Sequence, residues 1–170
     1  MGTVATEFPG EALPENRNYE TEVVVGTGYI RGRYLLGQPL SLKVGTGNIS
    51  AEVVPAGAGE SWLATEVGTG HTNVRFKGEL GVGRKQLRGT HKTGTGHMDV
   101  VYPADFEGTL TGSSDNGWVR IGGGGVAVQE KRQQLLDMTV KGAKGVGIHG
   151  GGGCVESRIS IGNISLLVGQ

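Results

Sequence analysis

The chain has 170 residues, enough for one domain with a sizeable core, and its 16 basic side chains balance its 16 acidic ones to a formal net charge of zero. Neutrality removes any whole-molecule field for nucleic acid or an anionic membrane, so neither is expected as a partner. With 34 glycines, about a fifth of the chain where roughly 7% is usual, the backbone must turn often.

Residues 1–18, with Pro9 and Pro14 and little apolar alternation, are expected to form an N-terminal arm or cap, and residues 19–170 a single repeat domain. The start lacks a basic segment followed by a long apolar one, and Cys154 is the single cysteine, so an intramolecular disulfide is excluded and a cytoplasmic location is favoured. In its GGGGCVES context, Cys154 reads as a small packing residue rather than a nucleophile.

The tetrapeptide VGTG occurs at Val25 to Gly28, Val44 to Gly47 and Val67 to Gly70, and TGTG follows at Thr93 to Gly96. The same frame continues through Gly117, Gly145 and Gly162, at irregular spacings of about 17 to 28 residues. Around each anchor the apolar residues alternate, as in Leu42 and Val44 before Gly47 and Ile49 and Ala51 after it. Period-two alternation of this kind predicts half-buried strands, with the glycine at a corner that a side chain would forbid. The predicted fold is all-β: a single-domain β-solenoid, parallel β-helix-like, of about six to seven irregular coils, with a β-sandwich or barrel as the alternative. The best helical candidate, VQEKRQQLLDM at Val128 to Met138, reads as a loop or strand pair holding at most one helical turn. The final apolar segment ISLLV is expected to end the last coil without a polar cap of its own.

The repeated VGTG strand-turn-strand, followed by VVYPADFEGTLTGSSDNGWVRI at Val100 to Ile121, resembles the adhesin-like (GIN/head-type) repeat domains of bacteria and related uncharacterised fungal proteins. The likeness covers about Tyr19 to Val168, and its most specific piece is Tyr102-Pro103-x-x-Phe106-x-Gly108. It implies a right-handed parallel β-solenoid-like fold and surface interaction, with no catalytic motif to carry over. The resemblance implies an acidic residue or Asn after the family's glycine, and that position is here Tyr29, Asn48, His71 and His97.

That position forms a column of candidate ligand-binding residues: Tyr29, Asn48, His71, His97 and Trp118. If Ile30 and Ile49 point inward, alternation turns the column outward, with Asn73 and Asp99 two residues further along on the same face. Two histidines fall short of the three or four ligands of an ordinary zinc site, so no metal and no cofactor are expected. A second pair, His91 and His149, falls outside the column. The threonines Thr27, Thr46, Thr69 and Thr95 read as turn residues. VGTG is not a nucleotide loop, because a strand rather than a helix follows it.

Two functional classes remain open. The first is a structural or interaction module, adhesin-like, that presents the ladder to a protein partner or self-associates as a homo-oligomer. The second is a small-ligand-binding protein or cofactor-independent enzyme with His71 and His97 as acid and base in a groove with Tyr29 and Trp118. The second needs a concave site over the ladder, made by the segments 55–61, 77–88 or 122–135.

Overall fold

The computed structural model describes residues 2–7, 20–56, 60–80, 86–145 and 152–169, and every regular element in them is a strand. In chain order these are β1 (Gly2–Glu7), β2 (Thr21–Leu36), β3 (Leu40–Pro55), β4 (Ser61–Phe76), β5 (Leu87–Tyr102), β6 (Gly108–Asn116), β7 (Val119–Gly123), β8 (Ala127–Gln134), β9 (Asp137–Lys144) and β10 (Gly153–Val168). They form one sheet in the order β1-β2-β3-β4-β5-β10-β6-β9-β8, with β7 also paired to β10. The path has two ends, so the sheet does not close into a barrel. Among the described residues no helix is long and apolar enough to cross a membrane.

Five strands, β2, β3, β4, β5 and β10, are each 16 residues long. Each carries the same inversion of phase. In β3, Leu40, Leu42 and Val44 are buried before the corner and Ile49, Ala51 and Val53 after it. The buried parity thus switches from even to odd across Gly45-Thr46-Gly47. The equivalent steps run from Val25 to Ile30, Val67 to Thr72, Thr93 to Met98 and Ile159 to Ile164. A straight strand keeps one parity on one face, so a slip of one residue means that the chain reorients there and gives both arms a common interior. Each fully buried Val, Leu or Ile contributes about 1.5–3 kcal/mol, which makes this inner row the main source of stability.

The last glycine of each corner is required twice over. Its φ lies between 132° and 142° in Gly28, Gly47, Gly70, Gly96 and Gly162, a region that L side chains rarely adopt. It also sits against its neighbour: a Cβ on Gly96 would stand 1.7 Å from the carbonyl oxygen of Gly70, and one on Gly162 would stand 1.7 Å from that of Gly96. The recurring tetrapeptide therefore records a column of backbones too close for any side chain.

Three expectations need correction. The spatial order of the corners is Gly28, Gly47, Gly70, Gly96, Gly162, Gly117, because β10 lies between β5 and the β6–β7 pair rather than at the end. Gly145 is not a corner: it follows the antiparallel strand β9, where a Cβ would meet Glu107. The segment ISLLV is not an uncapped terminus, since Ile164, Leu166 and Val168 are buried between β5 and β7.

The far end is covered by the β8–β9 hairpin, which pairs antiparallel to β6 and places Met138 and Val140 against the core, with Ala143 also buried. VQEKRQQLLDM is thus a strand pair with its turn at Leu135 and Leu136, and has no helical turn. The outer strand β8 is almost wholly exposed and carries Glu130, Lys131 and Arg132, charges that discourage further edge pairing. At the opposite end, β1 pairs parallel to the second arm of β2, from Gly2↔Gly28 to Glu7↔Arg33. Met1 and residues 8–18, the remainder of the expected arm, lie outside the described residues.

Candidate functional site

The residue after each corner glycine faces solvent, because the next residue, such as Ile30, Ile49 or Met98, takes the inward position. Register places Tyr29 beside Asn48, Asn48 beside His71, and His71 beside His97. The insertion of β10 then brings Asn163 beside His97 and, on its other side, next to Trp118. The column is a ladder of six side chains spanning five interstrand steps, about 24 Å at the usual strand spacing.

Its rungs are joined. Asn48 Oδ1 accepts the His71 backbone N–H at 2.9 Å, and the imidazoles of His71 and His97 stack at 5.2 Å with 6° between their planes. Asn163 Nδ2 approaches His97 Nδ1 at 3.4 Å, while its Oδ1 accepts the Trp118 backbone N–H at 3.2 Å. Tyr29 and Trp118 are 51% and 48% exposed, and beyond Tyr29 the register continues to Thr3 of β1. Asn73 and Asp99 are register neighbours one step along the same face, and Asp99 is exposed. The four threonines of the corners are also in register and exposed, and Ile161 continues their row.

Asn163 was not singled out from sequence, yet a signal exists. Gly162-Asn163-Ile164-Ser165 repeats Gly47-Asn48-Ile49-Ser50 letter for letter. Reading the corners in chain order placed it beyond Trp118, and only the strand order reveals it as the bridge.

The ladder lies open on the sheet. A shallow cavity of about 240 Å³ occurs elsewhere, lined by residues including Glu66, Lys92, Arg158 and Ser160, none of them a rung. Of the segments that a concave site over the ladder would need, 122–135 forms the end of β7, a turn and β8; the other two are only partly described. Among the described residues no group of three or more His, Cys, Asp or Glu could hold a metal ion. Cys154 is a free, exposed thiol on β10 rather than a packed one.

The most perturbed titratable groups lie inside, away from the ladder. His91 is fully buried on the first arm of β5, with Nδ1 2.8 Å from Thr65 Oγ1 and Nε2 2.6 Å from the Tyr102 hydroxyl on the second arm. Both partners are hydroxyls that can donate or accept, so the neutral ring is satisfied in either tautomer. Burial without a counter-charge pushes the His91 pKa down to about 4 and pushes that of Tyr102 up. Gly89 makes room for the pair: a Cβ there would stand 2.6 Å from the Tyr102 hydroxyl. With the Thr72–Thr93 hydroxyl contact at 3.2 Å, this network ties one arm to the other across the interior. Inward parity with Leu87 and Thr93 marks His91 as a core residue; its companion in the sequence, His149, lies outside the described residues.

No family model matches the sequence, and no curated protein or solved structure is significantly similar to it.

Proposed function

We propose that the chain is a β-solenoid interaction module, adhesin-like in character, that presents the Tyr29-to-Trp118 ladder to a partner or to another copy of itself. One observation carries this reading: Tyr29, Asn48, His71, His97 and Asn163 follow one another in register on adjacent strands, and from Asn48 through Asn163 to Trp118 each rung contacts the next. A periodic, pre-ordered surface costs little further ordering on binding, and amphipathic aromatics at its ends supply contact area at small entropic cost. Repeated corners at common register, each reversing the buried parity, support the solenoid part of the reading. The open setting of the histidines favours this class over a small-ligand enzyme, whose reacting groups work best in a concave, water-excluding site.

The test pairs the wild-type chain with Tyr29→Ala/Trp118→Ala and His71→Ala/His97→Ala variants. Solution mass by light scattering reads self-association, and a small-molecule thermal-shift screen at pH 6 and pH 8 reads ligand capture. A multimeric wild type that dissociates in the ladder variants supports the module. Stabilisation by a small molecule that vanishes in the histidine variant would replace it with the ligand-binding alternative.

A further inference from the structure

The β8–β9 hairpin turns through two residues, since Gln134 pairs with Asp137, and both are leucine. Leu135 has φ 50° and is the one described non-glycine residue with positive φ. Its side chain is 99% exposed and that of Leu136 64% exposed. Two-residue hairpin turns favour Asn-Gly or Asp-Gly, which reach positive φ at little cost and keep polar atoms in water. A leucine pair pays backbone strain and solvent exposure together, and neither side chain packs on the core that the rest of the hairpin covers. Strain retained at an exposed apolar tip points to contact outside the molecule.

The charge around the tip selects the partner. Residues 127–145 hold Lys131, Arg132, Lys141 and Lys144 against Glu130 and Asp137, a net of +2 (4 − 2) in a chain whose total is zero. Glu130 pairs with both Arg132 and Lys141, a cluster of net +1, and Lys131 stands outside it. The hairpin is therefore the locally cationic end of a neutral molecule, which whole-chain charge conceals. Two leucines on a convex tip offer far less area than the ~800 Å² per partner of a stable protein interface. A lipid interface takes side chains singly, and rewards apolar tips backed by Lys and Arg.

We propose that the Leu135–Leu136 tip inserts shallowly into an anionic lipid surface, with Lys131 meeting the headgroups. This interaction uses the end of the sheet and is independent of the ladder face. Asp137, beside the tip, opposes it and limits its strength.

The experiment is co-sedimentation of the whole chain with vesicles of phosphatidylcholine, with and without phosphatidylserine, at low salt. Wild type is expected to sediment with the anionic vesicles and to be released by salt. Leu135→Gly/Leu136→Ser should bind at least about tenfold more weakly yet melt no lower than wild type, since glycine then takes the one turn position with positive φ. Asp137→Asn should bind more tightly. Wild type that stays in solution with anionic vesicles, or a tip variant that binds as well as wild type, overturns the proposal. So does a tip variant that loses self-association in light scattering while vesicle binding is absent, an outcome that makes a second copy the occupant.

Discussion

The rings of His71 and His97 lie parallel, 5.2 Å apart, because Gly70 and Gly96 bring their backbones into the same register one strand apart. The stacking is a consequence of the corner rather than of the histidines. If the ladder serves recognition rather than folding, His71→Ala/His97→Ala should change unfolding free energy by no more than about 1 kcal/mol, as expected for exposed positions. Urea denaturation checks this; a larger loss would make the ladder a structural element first.

The glycine column should be intolerant in a graded way. A Cβ at Gly96 meets the Gly70 carbonyl oxygen at 1.7 Å with φ 142°, whereas one at Gly26 has no heavy atom within 4 Å. Gly96→Ala is expected to cost more than about 3 kcal/mol or to abolish folding, while Gly26→Ala stays within about 0.5 kcal/mol of wild type. Chemical denaturation of the two variants side by side reads the contrast.

Acid should act through His91. Its pKa in the folded chain is about 4, below the ordinary value of 6.5, so folding favours the neutral ring. The contribution is complete above about pH 6.5, shrinks as pH falls, and is exhausted below about pH 4, for a total on the order of 3 kcal/mol. Thermal midpoints measured from pH 7.5 to pH 4 should fall over that window. His91→Gln, which has no titratable ring, should start less stable but show a flatter profile.

Much of the fold can be read in the sequence, for a physical reason. A corner glycine with positive φ and a backbone neighbour at contact distance admits no substitute, so Gly28, Gly47, Gly70, Gly96, Gly117 and Gly162 stand out from any background. Alternation around them then fixes which face is inward, and with it the outward column from Tyr29 to Trp118. What stayed hidden was the order of strands. Parallel neighbours such as β5 and β10 share register but leave no local mark of which segment pairs with which, since both present the same alternating faces. Asn163 was lost to the site for that reason. The β8–β9 hairpin was obscured differently: its turn uses Leu135 and Leu136 where turn chemistry calls for Asn or Gly, and its outer strand buries too little to show a clear period.

Continuity of the ladder depends on β10 lying between β5 and β6, and the native thiol of Cys154 permits a direct test. Cys154 is in register with Arg88 on one side and Thr109 on the other. Adjacent strands bring Cα atoms to about 4.8 Å, within the range a disulfide spans. Arg88→Cys and Thr109→Cys, made separately, should each form an intramolecular disulfide with Cys154 under mild oxidation, read by thiol counting and non-reducing mass analysis. Cross-linking in both variants supports the intercalated strand and the bridge that Asn163 makes. A chain carrying Arg88→Cys, Thr109→Cys and Cys154→Ser that cross-links readily, with neither single variant doing so, would place β6 directly against β5 and contradict it.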